Sequence, residues 1–219
     1  MLFLLITCIA GCCFLATLFC LRGLRAGWWV HFIWFTGLAF LVEGSGYLLY
    51  FKYGISNHAL FNLFLLVEYL FLSWAIHKLS KDYYRSGIPV IIGLTAVLAV
   101  YFYESISSSF RAYSANSFMA ASIYFTLLCG LYYYFFMKQE QHVEIERFAP
   151  FWIITGLFLF YFGSTAIDFF FRYFAAHNAQ NPKTLKLTRY KIFIVLNFIL
   201  YASWAYAFIC RQRQVTSAR

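Results

Sequence analysis

Charge is scarce in this chain. Lys, Arg, Asp and Glu together make up 11% of its 219 residues, where a soluble domain carries about a quarter. So few charges would not keep a folded globule of this size in solution, so a soluble fold is excluded. Proline is scarce as well, with only Pro89, Pro150 and Pro182, so long stretches run without a helix breaker. No CxxC pair occurs. Of the six cysteines, Cys8, Cys12, Cys13 and Cys20 share the first apolar run, and Cys129 and Cys210 lie in later ones. Buried free thiols are therefore expected, since such groups behave as small hydrophobes. A Walker box, HExxH and GxSxG are all missing, and the few His and Cys show no metal-ligand spacing. No catalytic residue, metal or cofactor is expected, and the chain does not read as an enzyme. Residues 192–210 contain no lysine, so a retinal Schiff base has no attachment point there.

What the chain has in abundance is apolar sequence, 63% of all residues. Crossing the bilayer core takes about 20 apolar residues in a helix. The runs do not alternate with the short period of a transmembrane barrel. Within lipid each backbone group must be satisfied inside its own segment, which favours helices. Seven helices are predicted, over about 2–20, 27–51, 59–77, 87–103, 114–137, 151–173 and 192–210. Pro89 is tolerated in the first turn of the fourth. The fold class is all-α, a polytopic bundle forming a single domain over residues 1–219. Residues 104–113, 138–150 and 175–191 read as loops.

Ile9-Ala10-Gly11-Cys12 looks like a lipoprotein cleavage box, but residues 1–7 carry no Lys or Arg, which a signal peptide needs. The first segment is therefore read as a membrane helix. The net charge of +9 does not point to nucleic acid, because Lys and Arg gather at helix ends, where insertion and anionic headgroups favour them. One face holds ten of them (Arg22, Arg25, Lys78, Lys81, Arg85, Lys138, Arg147, Arg211, Arg213, Arg219) and the other seven (Lys52, Arg111, Arg172, Lys183, Lys186, Arg189, Lys191). The positive-inside rule makes the first face cytoplasmic. The expected location is a bacterial inner (plasma) membrane, with the N-terminus outside and the C-terminus cytoplasmic. The basic outer segment Lys183, Lys186, Arg189 and Lys191 reads as a solvated loop.

An internal echo follows a constant offset of 119 residues: Thr36-Gly37-Leu38 with Gly44-Ser45 returns as Thr155-Gly156-Leu157 with Gly163-Ser164. Ser73-Trp74-Ala75 likewise matches Ser203-Trp204-Ala205, and Thr17 to Cys20 matches Thr126 to Cys129 more weakly. The expectation is a parallel repeat of about 1–78 and about 114–210, with 87–103 as a linker helix. That arrangement resembles the three-plus-one-plus-three transporters of the SWEET/PQ-loop type, although no Pro-Gln pair is present. The resemblance implies architecture only. A second resemblance rests on Phe110-Arg-Ala-Tyr-Ser114, on Pro150-Phe-Trp152 with Gly156 and Tyr161-Phe-Gly163, and on Asn197-Phe-Ile-Leu-Tyr201. These motifs look like those of a family of uncharacterised bacterial seven-helix integral membrane proteins, which implies no activity and no functional residues.

Ionisable groups inside a membrane helix are functional candidates by default, since each costs at least about 2.5 kcal/mol there. Glu43, Glu68 and Asp168 are the three. Glu68 falls near the midplane, and Glu43 and Asp168 toward the outside, as do Asn62, Asn116 and Asn197. Helical spacing puts Tyr161, Ser164, Asp168 and Arg172 on one face, and Thr36, Glu43, Tyr47 and Tyr50 on another. Asn62, Tyr69 and Ser73 share a third, and Asn197, Tyr201 and Trp204 a fourth. Stripes facing one another would form an outward-facing polar cavity. The expected ligand or proton site is thus Glu43, Glu68, Asp168, Asn62, Asn197, Tyr47, Tyr69, Ser164 and Tyr201. The structural alternative pairs Asp168 with Arg172 one turn on and uses Asn and Glu to join helices. A haem between His31 and His77 is a weaker idea, because a His at a helix end usually faces headgroups. The functional expectation is a small-solute transporter, proton-coupled through the carboxyls. The alternative is a receptor or sensor signalling to a separate cytoplasmic partner. A lipid-modifying enzyme is a third idea, for which no nucleophile or metal stands out.

Overall fold

The computed structural model describes the backbone of residues 2–22, 27–108, 110, 112–139, 144–177 and 182–217. The predicted Arg25, Arg111 and Arg219 charges lie outside the described residues, as do the side chains of Lys183 and Lys186. Seven long helices form in chain order: α1 Leu2–Leu21, α2 His31–Lys52, α3 His58–Ser80, α4 Gly87–Ser108, α5 Ala115–Met137, α6 Ala149–His177 and α7 Pro182–Ser217. Short 3-10 turns at Gly27–Val30 and Ile145–Arg147 lead into α2 and α6. All seven contain a stretch long and apolar enough to cross a membrane. The chain is an all-helical, multi-pass membrane protein.

Three helices outrun the expected boundaries. α4 continues to Ser108, so Glu104 is helical rather than part of a loop. α6 continues to His177 and α7 begins at Pro182, so most of the expected 175–191 loop is helix. Proline fits there because the first turn has no hydrogen-bond acceptor for the missing N–H. At 36 residues, α7 is about 54 Å long, well beyond a hydrocarbon core of about 30 Å. Its charged ends therefore extend past the apolar zone, which is why hydropathy alone places its start too late.

Each helix packs on its neighbours in sequence, and α7 also packs on α1, which closes a ring. The α6–α7 seam is the most extensive and the α2–α3 seam the thinnest of those between successive helices for which contacts are described. Small residues let the helices approach, as they do where lipid removes the hydrophobic drive for association. The α1–α2 seam is reciprocal: Phe40 packs against Gly11, and Phe14 against Gly37. On α6, a Cβ at Gly156 would stand 3.0 Å from Ser203 Cβ and 3.2 Å from the Leu200 carbonyl oxygen. α2 ends through Gly54 at φ +65°, with Ile55 N–H reaching the Leu49 carbonyl at 2.9 Å, a left-handed helix stop that suits glycine.

The contacts do not set α1–α3 and α5–α7 apart as two units. Matched positions also serve different seams. Gly37 receives α1, whereas its counterpart Gly156 receives α7 rather than α5. Ser73 accepts from Tyr124 of α5, whereas Ser203 packs on Gly156 of α6.

One end of the bundle is filled with aromatic rings. Phe35 stacks on Phe71 at 4.2 Å, and Phe32 meets Phe71, Trp204 and Phe208 at 5.2, 5.5 and 5.5 Å. Trp28 and Trp29 close over them. The carboxyls Glu43, Glu68, Glu104 and Asp168 lie toward the opposite end.

Candidate functional site

Glu68 sits on α3 and is half-buried. Tyr161 of α6 donates its hydroxyl to Glu68 Oε1 at 2.8 Å. Tyr161 is completely buried, with its ring held by Phe125 at 4.7 Å and Phe118 at 6.5 Å. The register of α2 against α3 places Glu43 nearby. Phe35 stacks on Phe71, and Phe61 packs on Gly46, so Glu43 stands about one turn from the level of Glu68 on the facing helix. The two carboxyls are within electrostatic reach of one another. Tyr201 of α7 is buried within reach of both, and Tyr190 within reach of Glu43. Four helices thus converge on one carboxyl pair.

Tyr113 closes this cluster at the polar end. It lies before α5, is 36% exposed, and stands within electrostatic reach of the Glu68 and Asp168 carboxyls.

Asp168 has a different partner from the one its spacing suggested. Arg189 donates to Asp168 Oδ1 at 2.6 Å, from α7 to α6, and stacks over Phe193 at 5.6 Å. Arg172 turns instead to Asn116 Oδ1 at 2.9 Å. The intrahelical Asp168–Arg172 pair is therefore replaced by an interhelical one. The residue that supplies it had been read as part of a solvated loop, because a run of cations hid the helical phase of Arg189.

The α3 stripe is engaged mainly with α5. Asn62 donates to the Ala112 carbonyl at 2.8 Å and accepts from Ser114 N–H at 3.0 Å. Tyr69 accepts from Ser117 at 3.3 Å, and Ser73 from Tyr124 at 3.0 Å. These three form a polar zipper between α3 and the start of α5, while Glu68 points to α6. Asn197 donates to the Phe193 carbonyl of its own helix at 2.8 Å. Tyr47 is half-buried, with its ring against Phe51 at 5.0 Å. Ser164 Oγ is fully buried and has no hydrogen-bond partner among the described residues. The structure thus gathers Glu43, Glu68, Tyr201 and Tyr161, sets Asp168 with Arg189 about two turns further along α6, and assigns Asn62 and Tyr69 to helix joining.

Glu104 is a polar anchor that no local motif reveals. Its carboxylate accepts from Asn116 N–H at 3.2 Å and Ser117 N–H at 2.8 Å. It caps α5 from α4, satisfying donors left open at a helix start. His77 Nδ1 lies 2.8 Å from Ser86 Oγ, and His31 is exposed with its ring edge-on to Trp74 at 5.2 Å.

Compared with family models, with curated proteins and with solved structures, the chain matches none. Neither the SWEET/PQ-loop likeness nor the likeness to a bacterial seven-helix family gains support from them, and function is argued from the site itself.

Proposed function

We propose that the Glu43–Glu68 cluster is the ligand and proton site of a small-solute transporter of the bacterial inner membrane. The observation that carries this reading is a pair of half-buried carboxyls on facing membrane helices, about one turn apart in level, one of them bonded to a buried tyrosine. Carboxyls are costly there unless they bind something or exchange protons. With the basic end cytoplasmic, the cluster lies on the outer side of the aromatic layer, with Tyr113 and the Asp168–Arg189 pair toward the outside. On this reading the protein moves its solute without bond chemistry.

The aromatic layer of Phe32, Phe35, Phe71, Trp204 and Phe208 supports a second reading. It closes the bundle on the cytoplasmic side, and the threonine hydroxyls of α2 and α6 at that end are already engaged. Thr36 donates to the Phe32 carbonyl at 2.7 Å, and Thr155 pairs with Tyr133 at 2.7 Å. In a transporter this layer is a closed gate. In a receptor or sensor it is permanent, and ligand binding is relayed to a separate cytoplasmic partner.

Reconstitution into liposomes with an internal pH dye tests the reading. A solute gradient should drive proton movement in the wild type and not in Glu68→Gln or Glu43→Gln protein that inserts equally well. Ligand binding without flux would select the sensor. Undiminished flux in both variants would remove the carboxyls from the mechanism.

A further inference from the structure

A groove of about 650 Å³ runs along the outer side of the α2–α3 seam, away from the carboxyl cluster. It is lined by Trp34, Phe35 and Leu38 of α2, by Leu70, Phe71 and Trp74 of α3, and by His31 and Val67. Its position follows from the thinness of this seam. The stacked Phe35 and Phe71 rings hold the two helices at the level of the groove, and Trp34, Leu70 and Val67 stand 76%, 46% and 41% exposed beside them.

The groove is apolar along its length and polar at one end. His31, the first residue of α2, stands there exposed, with its ring edge-on to Trp74. Lys78 follows Trp74 by one turn on α3, so it stands on the same helix face just beyond the groove. Tryptophan and a cation at this level mark the headgroup zone.

We infer that this groove is a specific site for an anionic phospholipid, with an acyl chain between Trp34 and Leu70 and the phosphate against Lys78 and His31. An apolar slot ending in two donors, one of them cationic, matches the amphiphile. A zwitterionic lipid fits the slot equally well but brings its own cation to Lys78. A juxtamembrane cation favours anionic lipid by roughly fivefold, and Lys78 is the one cation here, so the preference should be about fivefold. The site is independent of the solute reading, since it uses none of the carboxyl cluster. Because the groove backs onto Phe35 and Phe71, an occupied groove holds the thinnest seam together.

The test titrates phosphatidylglycerol and phosphatidylcholine into delipidated full-length protein and counts bound lipids by native mass spectrometry, with thermal unfolding in parallel. The wild type should bind one phosphatidylglycerol about fivefold more tightly than phosphatidylcholine and melt higher with it. Lys78→Gln should lose most of that preference and Lys78→Arg should keep it. Val67→Trp, which fills the groove at a lipid-exposed position, should lose the tight lipid while the protein stays folded. Equal binding of the two lipids by the wild type would overturn the inference. So would an unchanged preference in Lys78→Gln, or a tight lipid retained by Val67→Trp.

Discussion

Alanine at Gly93 should weaken the protein, although alanine is the better helix former. A Cβ there would stand 2.3 Å from Tyr124 Cε2 and 2.4 Å from Cδ2, where ordinary carbon contacts are about 3.5–4.0 Å. The ring must retreat by about 1 Å or more. It has little room, since Tyr124 is 8% exposed and its hydroxyl reaches Ser73 Oγ at 3.0 Å and the Val90 carbonyl at 3.2 Å. Overpacking costs about 1–3 kcal/mol, and the displaced hydroxyl bond about 1 kcal/mol. Helix propensity returns about 0.8–1.0 kcal/mol, leaving a net loss of about 1–3 kcal/mol. Gly130 is the internal control, because a Cβ there meets nothing within 4 Å. Gly130→Ala should gain up to about 1 kcal/mol. Thermal unfolding in detergent, followed by tryptophan fluorescence, compares the two. A Gly93→Ala protein melting at or above Gly130→Ala would refute the α4–α5 packing and the Tyr124 bridge.

Further outcomes follow from the polar contacts. Arg189→Gln leaves Asp168 buried without its cation. Breaking a fully buried pair costs about 3–5 kcal/mol, and because the Arg189 side chain is 42% exposed the loss should be less, about 1–3 kcal/mol. Adding Asp168→Asn should restore part of it, and a double-mutant cycle in thermal unfolding showing no coupling would contradict the pair. Asn62→Ala removes both side-chain bonds to 112–114 and should cost about 2–4 kcal/mol, seen as early hydrogen exchange at the start of α5. Glu104→Gln should weaken the α5 cap by about 0.5–2 kcal/mol, whereas Glu144→Gln, whose pair with Arg147 is exposed, should leave melting unchanged.

The seven helices were legible because apolar runs of membrane length leave the backbone no other regular structure. Their ends were less so. The first turns of α7 are charged and lie beyond the apolar zone, so hydropathy assigned Arg189 to a loop and left Asp168 to be matched with Arg172. The Glu68–Tyr161 bond joins residues 93 apart in sequence, and spacing on one helix cannot reveal which helix it faces. The α3 stripe of Asn62, Tyr69 and Ser73 was seen correctly as one polar face, but its direction toward α5 is a property of the ring. Glu104 looked like a loop residue because its capping role depends on α4 running on beside α5. The 119-residue echo is present in the sequence, yet its matched glycines receive different neighbours, since small residues mark close helix contacts wherever these occur.

Melting of the purified protein across a small-metabolite library, at about pH 5.5 and about pH 7.5, shows whether Glu43 and Glu68 form a ligand and proton site. A ligand of the folded state raises the melting temperature with its occupancy. A solute should stabilise the wild type to a degree that differs between the two pH values, and its effect should disappear in Glu68→Gln. A stabilising solute that acts equally on the wild type and on both Glu68→Gln and Glu43→Gln would contradict such a site.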